Sequence, residues 1–421
     1  MKKAALHNLG CKVNAYETEA MQQILEADGY EIVPFQEEAD VYVINTCTVT
    51  NVADHKSKQM LHRAKKKNPN AIIVAAGCYV QAFADKLRED GSVDIIIGNN
   101  QKNQLIEMIE DYKGDRKEAV VDISKTKEFE PMQIKKTAEH TRAFLKIQDG
   151  CNQFCSYCII PYARGRARSR KKEEVIEEVK NLAVSGYKEV VLTGIHLSSF
   201  KDLDDLVLEL AAIDRIERIR LGSLEPNVIT EEFIKKLASC KEFCPHFHLS
   251  LQSGCDSVLK RMNRHYTSEE YYEKCQLIRK YFSHPAITTD IIVGFPGETD
   301  EEFKTSLSFA KKVGFYEIHV FKYSRRKGTK ADKMPNQVPE NIKSERSHQL
   351  MSVAKELSKE FRAYYLGKEV QILSEEIVTI NEEEWMVGYT KEYVKCATKN
   401  YTKNELLMLE VHEFLNDDIL R

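Results

Sequence analysis

Short apolar runs alternate with helical patterns twice along this 421-residue chain, and a charged stretch separates the two series. In the first hundred residues Lys3–Asn8, Val41–Asn45, Ala71–Ala76 and Val93–Ile97 read as strands. Ala15–Ala27, stopped by Asp28-Gly29, and the basic stretch Val52–Lys67, ended by Asn68-Pro69, read as helices, and a third helical pattern runs to Asp90. Such alternation dictates a parallel sheet with right-handed crossovers. Residues 113–141 are charged and lack apolar periodicity, as a linker does. From Ala143 the strands are Phe144–Gln148, Glu189–Thr193, Ile219–Gly222, Phe247–Leu251, Thr288–Val293 and Glu317–Phe321. Helical patterns fall between them at Glu173–Ser185, Leu203–Ile213, Thr230–Ser239, Ser268–Phe282 and Asp300–Val313. Six βα units predict a partial, six-stranded version of the eight-stranded barrel. After Tyr365-Leu-Gly367 come short strands at Val370–Leu373, Glu384–Val387, Tyr393–Ala397 and Leu406–Val411, which predict a small all-β barrel. The expected class is therefore α/β, with domains over 1–115, 137–364 and 365–421.

Eleven cysteines and no secretion signal argue against a disulfide framework and for metal or redox chemistry in a reducing cytoplasm. No apolar run reaches the roughly 18 residues of a membrane span, so no membrane partner is expected. A net charge of −3 announces no polyanionic partner for the chain as a whole, and charge has to be read locally.

Cys151, Cys155 and Cys158 form a Cys-x₃-Cys-x₂-Cys triplet just after the strand pattern at Ala143–Asp149. A 4Fe–4S cluster is usually held by four thiolates, so three leave one iron open to a non-protein ligand. That logic points to a radical enzyme using S-adenosylmethionine (SAM). A zinc site or unpaired thiols are the plainer readings. Zinc loops usually pair two short Cys/His hooks, and no second hook of that spacing stands nearby.

Cys11, Cys47 and Cys78 each follow the carboxyl end of a predicted strand, about one βαβ repeat apart. Strand ends of a parallel sheet share one crevice, so three thiols should meet at one rim. Gly10 and Gly77 permit tight turns before two of them. A second three-thiolate cluster is expected, against the plainer reading that buried cysteines are common. Cys240, Cys244, Cys255, Cys275 and Cys396 read as packing residues, as do His196, His246 and His248.

In βα barrels chemistry sits at the carboxyl ends of the strands. Tyr157 could lie against an adenine ring, and Gly194 would admit the amino-acid end of SAM. Glu225 could accept from ribose hydroxyls, and the Gly294 turn could floor the adenine. Strand-to-helix turns alone also explain Gly and Pro at such places. Arg164, Arg166, Arg168 and Arg170, with Lys171 and Lys172, make a basic run beside the triplet. Lys322–Lys330 and the helix Val52–Lys67 are basic too. Basic runs are usually solvated faces, but two of these belong near the presumed mouth and favour a polyanionic substrate.

Leu9-Gly-Cys-Lys-Val-Asn-Ala-Tyr-Glu17 and Gly150–Ser169 resemble the motifs of the radical-SAM methylthiotransferases, over nearly the whole chain. Their wording is most similar to the bacterial branch acting on N6-threonylcarbamoyladenosine in tRNA. The resemblance implies an N-terminal cluster domain, a radical-SAM barrel and a C-terminal TRAM domain. It implies two 4Fe–4S clusters, reductive cleavage of one SAM, and transfer of a methylthio group to carbon 2 of a base next to the anticodon. The implied partners are the tRNA anticodon stem–loop, an electron donor such as flavodoxin or ferredoxin, and a sulfur source. Two alternatives stay open: the same chemistry on an aspartate of a ribosomal protein, and a non-catalytic RNA-binding iron–sulfur redox sensor. Residues 366–421 hold six Lys/Arg against twelve Asp/Glu, so that module offers phosphates no general attraction.

Overall fold

The computed structural model describes residues 1–134 and 141–421. The expected barrel start at residue 137 and part of the expected linker lie outside the described residues.

The N-terminal unit is a six-stranded, fully parallel sheet. Its central strands Lys3–Asn8, Val41–Thr46 and Ile72–Gly77 lie side by side. Val41–Thr46 is buried along its length, as a strand covered on both faces must be. Two edge strands leave no mark in the sequence pattern. Glu31–Ile32 is only two residues long. Lys117–Ala119 pairs with Ile95–Ile97, so the stretch expected to be linker in fact completes the sheet. Three residues with no apolar member except Ala119 leave no periodicity to read.

The helix Lys12–Ala27 joins the first unit to the second. It packs Ala20, Met21 and Leu25 into one core that also contains Ala143, Leu145 and Val190 of the second unit. Tyr16 is fully buried, and its hydroxyl donates to Met132 O at 2.7 Å. The two sequence domains thus share one continuous hydrophobic core.

The second unit has the expected six parallel strands, at Arg142–Lys146, Glu189–Thr193, Arg218–Leu221, His246–His248, Ala286–Val293 and Glu317–Lys322. They form two three-stranded sheets, joined by parallel bridges at Ile219–Phe243 and Leu224–Leu249. The helices between them fall where the 3.6-residue pattern places them. Capping boxes at Thr267–Glu270 and Thr299–Glu302 fix two of their starts. The long helix Glu340–Ala363 has no counterpart among the expected elements. Its buried face includes Lys343, Arg346 and Arg362, so an apolar stripe is hard to see.

The C-terminal module is a four-stranded antiparallel sheet of Lys368–Ile380, Glu383–Tyr389, Lys395–Thr398 and Leu406–Val411, bent by a bulge at Ser374–Glu376. It docks on the amino ends of the ring strands. Arg218 donates to Tyr389 O at 2.7 Å and Gln371 O at 2.9 Å, and Arg220 to Lys391 O at 2.8 Å. The cysteine-bearing turns lie at the opposite, carboxyl ends.

Candidate active site with two cysteine trios

In the first sheet Asn8 pairs with Asn45, and Thr46 with Gly77. The turns that follow open side by side, and Cys11, Cys47 and Cys78 come together there. Gly10 has φ +113°, and a Cβ on it would stand 3.0 Å from Cys47 Cβ and 3.1 Å from its sulfur. Burial, then the neighbouring Cys78 and Cys11, push the Cys47 thiol up to about 12. Such a thiol is protonated near neutrality and becomes a ligand only as a metal displaces its proton. Arg164 Nε donates to Cys78 Sγ at 3.2 Å, and Asn99 Nδ2 to the same sulfur at 3.6 Å.

The second trio sits on the loop after the first ring strand. Gly150 has φ +69° and passes so close to Arg166 O that a Cβ would stand 2.0 Å from it. Cys151 N donates to Gly165 O, and Cys158 N to Cys155 O, both at 3.0 Å. The segment Arg261–Arg264 clamps the loop from outside. Ser156 N donates to Met262 O at 2.9 Å, and Asn263 Nδ2 to Phe154 O at 3.1 Å. Arg264 Nη1 donates to Cys155 Sγ at 3.2 Å. Burial raises Cys158 to about 12 and Cys151 to about 11. Each trio therefore carries one arginine on one sulfur. Neither has its three sulfurs within 4.8 Å of one another, as a single shared ion needs; among the described residues only His248, Asp290 and His319 do. Three thiols with cationic donors and a wider spacing fit an anionic multi-iron body better than one zinc ion.

Of the six cysteines, Cys158 lines a chamber that extends to the turn just after Cys47. A cavity of about 210 Å³ is lined by Tyr157 and Cys158 on one side, Val49 and Thr50 just beyond Cys47 on another, and Asp290, Ile292 and Phe321 on a third. A groove of about 550 Å³ opens beside it, between Thr50–Val52 and Phe321–Arg325.

The residues expected to meet SAM are not equally placed. Tyr157 lines the chamber, edge-on to Phe295 at 6.4 Å between ring centroids. Glu225 pairs with Arg264, the arginine on Cys155, and so stands beside the triplet. Gly194 closes against Gln148, whose side chain accepts from His196 N at 2.6 Å. Gly294 has φ +70°, and a Cβ there would strike Lys343 Cγ at 2.3 Å, so helix packing accounts for that glycine. Arg264 is the functional residue that the sequence does not single out. It lies more than a hundred positions from the triplet, and only the fold connects them.

The basic run differs from the expectation. Arg164, Arg168 and Arg170 are 0%, 5% and 5% exposed, so the reading of them as phosphate contacts is corrected. Arg164 donates to Glu17 at 2.9 and 3.1 Å, to Asp149 at 3.0 Å and to Asn14 Oδ1 at 2.6 Å. Lys146, at 2.6 Å, and Lys102, at 3.1 Å, share Glu17. Burial opposes ionisation of Glu17, but Arg164, Lys102 and Lys146 hold its carboxyl well below the usual range. Arg168 donates to Arg164 O and Arg166 O, both at 2.9 Å, and Arg170 pairs with Glu178. Arg164 and Arg170 strap the first unit to the loop through Glu17 and Tyr16, and Arg168 braces the loop itself. Only Arg166 reaches solvent, over the Phe154 ring at 4.4 Å.

Residues 145–310 match the model of the radical SAM superfamily, and residues 3–98 that of the uncharacterized protein family UPF0004. The chain is 44% identical over 409 residues to the threonylcarbamoyladenosine tRNA methylthiotransferase MtaB of Bacillus subtilis, covering 95% of this chain and 91% of the relative. It is 42% identical to the MtaB of Aquifex aeolicus, covering 95% and 97%. A tRNA-2-methylthio-N(6)-dimethylallyladenosine synthase of Caldicellulosiruptor saccharolyticus is 40% identical, covering 86% and 80%. Among solved structures, the radical SAM methyltransferase TsrM of Kitasatospora setae shares the fold at a TM-score of 0.58 and 15% identity, over 79% of this chain and 77% of that one. Membership of the radical SAM superfamily implies a 4Fe–4S cluster and SAM as cofactors. The chain belongs to the radical-SAM tRNA methylthiotransferases.

Proposed function

We propose that this enzyme methylthiolates carbon 2 of N6-threonylcarbamoyladenosine next to the tRNA anticodon, using SAM as both methyl donor and radical source. The observation that carries the reading is the pair of cysteine trios at carboxyl ends of parallel strands, each with an arginine on one sulfur. Relatives named for that substrate match over nearly the full length. When bound, the iron–sulfur clusters and SAM supply the radical and the sulfur chemistry.

Cys151, Cys155 and Cys158 hold the SAM-binding cluster, and Cys11, Cys47 and Cys78 an auxiliary one. Arg164 and Arg264 place positive charge against sulfur that becomes anionic on loading. Glu225, held by Arg264, and Tyr157 border the space for SAM. Gly194 and Gly294 shape the turns at their strand ends, against Gln148 and Lys343. The six ring strands act as the partial radical-SAM barrel, and residues 365–421 as a TRAM domain of barrel type. An electron donor such as flavodoxin or ferredoxin and a sulfur source complete the cycle, in the cytoplasm. No described helix is long and apolar enough to cross a membrane.

For RNA the groove at the mouth takes over from the buried arginines. Val52 and Phe321 are 64% and 44% exposed there, beside Lys322 and Arg325. Aromatic and apolar surface with interleaved cations suits unstacked bases and their phosphates.

The test is to incubate reconstituted enzyme, SAM and a strong reductant with anticodon stem–loops carrying either modification. Methylthiolation of the threonylcarbamoyl form is expected. Reaction of the isopentenyl form alone would overturn the substrate and leave the chemistry standing.

A further inference from the structure

We propose that Lys12 is the residue that grips the carboxylate of the threonyl group on the substrate base. This rests on the threonylcarbamoyl reading above.

The interior of the strand ring is unusually polar. Alternation along each strand turns Arg142, Glu189, Arg220, His248, Asp290 and His319 inward. Nearly every charge there has a partner. Arg142 meets Glu375 at 2.6 Å, and Arg220 meets Glu189 at 2.8 Å. Asp290 lies between His319 at 3.1 Å and His248 at 3.3 Å.

Lys12 is the exception. It opens the helix that begins beside Cys11, and its ammonium group enters the ring over Phe144, 5.8 Å from the ring centroid. Among the described residues no carboxylate lies within 4.0 Å of it, and its surface remains accessible. Arg220 and Arg142 share that space with it, and so does Glu189, whose charge supports the ammonium. An accessible ammonium facing this polar interior, with no carboxylate in contact, is a site for an anion.

The substrate class supplies one. A threonylcarbamoyl group carries a carboxylate, whereas an isopentenyl group would leave the ammonium facing hydrocarbon. A site built around an unpaired charge rejects the analogue lacking its partner. Other candidates near the cysteines are occupied. Asn14, Asn45 and Thr46 are at most 1% exposed. Asn14 donates to Leu9 O at 2.7 Å, Asn45 to Asn14 O at 3.0 Å, and Thr46 to Ala76 O at 2.6 Å. Lys12 also adjoins a ligand of the auxiliary trio, so a base anchored through its threonyl arm is held at that cluster.

The experiment compares three anticodon stem–loops: one with the threonylcarbamoyl acid, one with its neutral carboxamide, and one with the isopentenyl group. Binding to the reconstituted enzyme is followed by fluorescence anisotropy without reductant, so nothing turns over. Wild type is expected to prefer the acid to the carboxamide by roughly tenfold to a hundredfold, the range of a hydrogen bond between charged groups. Lys12→Gln should bring that ratio close to one by weakening the acid alone, and Lys12→Arg should keep most of it. Because the readout is a ratio within each variant, partial cluster loss beside Cys11 does not obscure it. Equal affinity of wild type for acid and carboxamide, or a preserved preference in Lys12→Gln, overturns the proposal. A wild-type enzyme that methylthiolates only the isopentenyl loop overturns the underlying substrate reading instead.

Discussion

Replacing Arg164 with methionine should destabilise the seam between the first unit and the cluster loop. Removing one partner of a buried ion pair costs about 3–5 kcal/mol, because the charge left behind has no water. Here Glu17 would keep Lys146 at 2.6 Å and Lys102 at 3.1 Å, which places the cost near the lower end. Glu17→Gln leaves Lys102 without a carboxylate, while Arg164 and Lys146 keep Asp149 at 3.0 and 2.7 Å, so its cost falls in the same range. In the double variant neither defect is fully felt, so the sum of the single costs should exceed the double cost by at least about 1 kcal/mol. A multi-unit chain does not unfold in one step, so a global midpoint is a poor measure. Amide hydrogen exchange over Lys12–Ala27 in the iron-free protein reads the seam itself. A destabilisation below about 1 kcal/mol in Arg164→Met, or strict additivity in the double variant, would refute the reasoning. Arg164→Met should leave the salt dependence of tRNA binding unchanged, since a fully buried guanidinium touches no phosphate.

Three further outcomes are expected. Gly10→Ala, whose new Cβ would press on Cys47, should halve the iron content from about eight atoms while SAM cleavage survives; an unchanged iron count would contradict that packing. Lys322→Gln with Arg325→Gln should weaken tRNA binding and lower its salt slope by about 0.7–0.9 for each phosphate no longer neutralised, and an unaltered slope would remove the groove from the RNA path. His319 should titrate above its ordinary value, because the hydrogen bond to Asp290 and the charge of that carboxylate favour the imidazolium. The stabilisation from this pair is complete below about pH 6.5 and disappears as pH rises through the raised value. Asp290→Asn should bring the histidine NMR titration back down, and a wild-type midpoint at or below about 6.5 would count against the pair.

The cysteine trios are legible in the sequence because each tie is local. A thiol directly after a strand goes wherever the sheet edge goes, and the pairing of Asn8 with Asn45 and Thr46 with Gly77 does the rest. The fate of the arginines is not legible. Arg164 is buried by Glu17, 147 positions away, and nothing in the run Arg164–Lys172 distinguishes a strap from a solvated face. Arg264 and Lys343 escape notice for the same reason: their partners, Cys155 and the Gly294 turn, come from distant strand ends. The edge strand at Lys117–Ala119 reads as linker because a three-residue edge needs no apolar alternation.

The C-terminal module is written in the sequence as an appendage, yet it forms the floor of the ring. Arg218 and Arg220 end on its backbone carbonyls, and Arg142 on its Glu375. Carbonyls do not depend on side-chain identity, so the module can drift widely in sequence, and in charge, without loosening its hold. It cannot be gained or shed alone. A lineage without it inherits Arg142 without Glu375, and leaves Arg218 and Arg220 to share the single carboxylate of Glu189, so positions 142, 218 and 220 must change along with its loss.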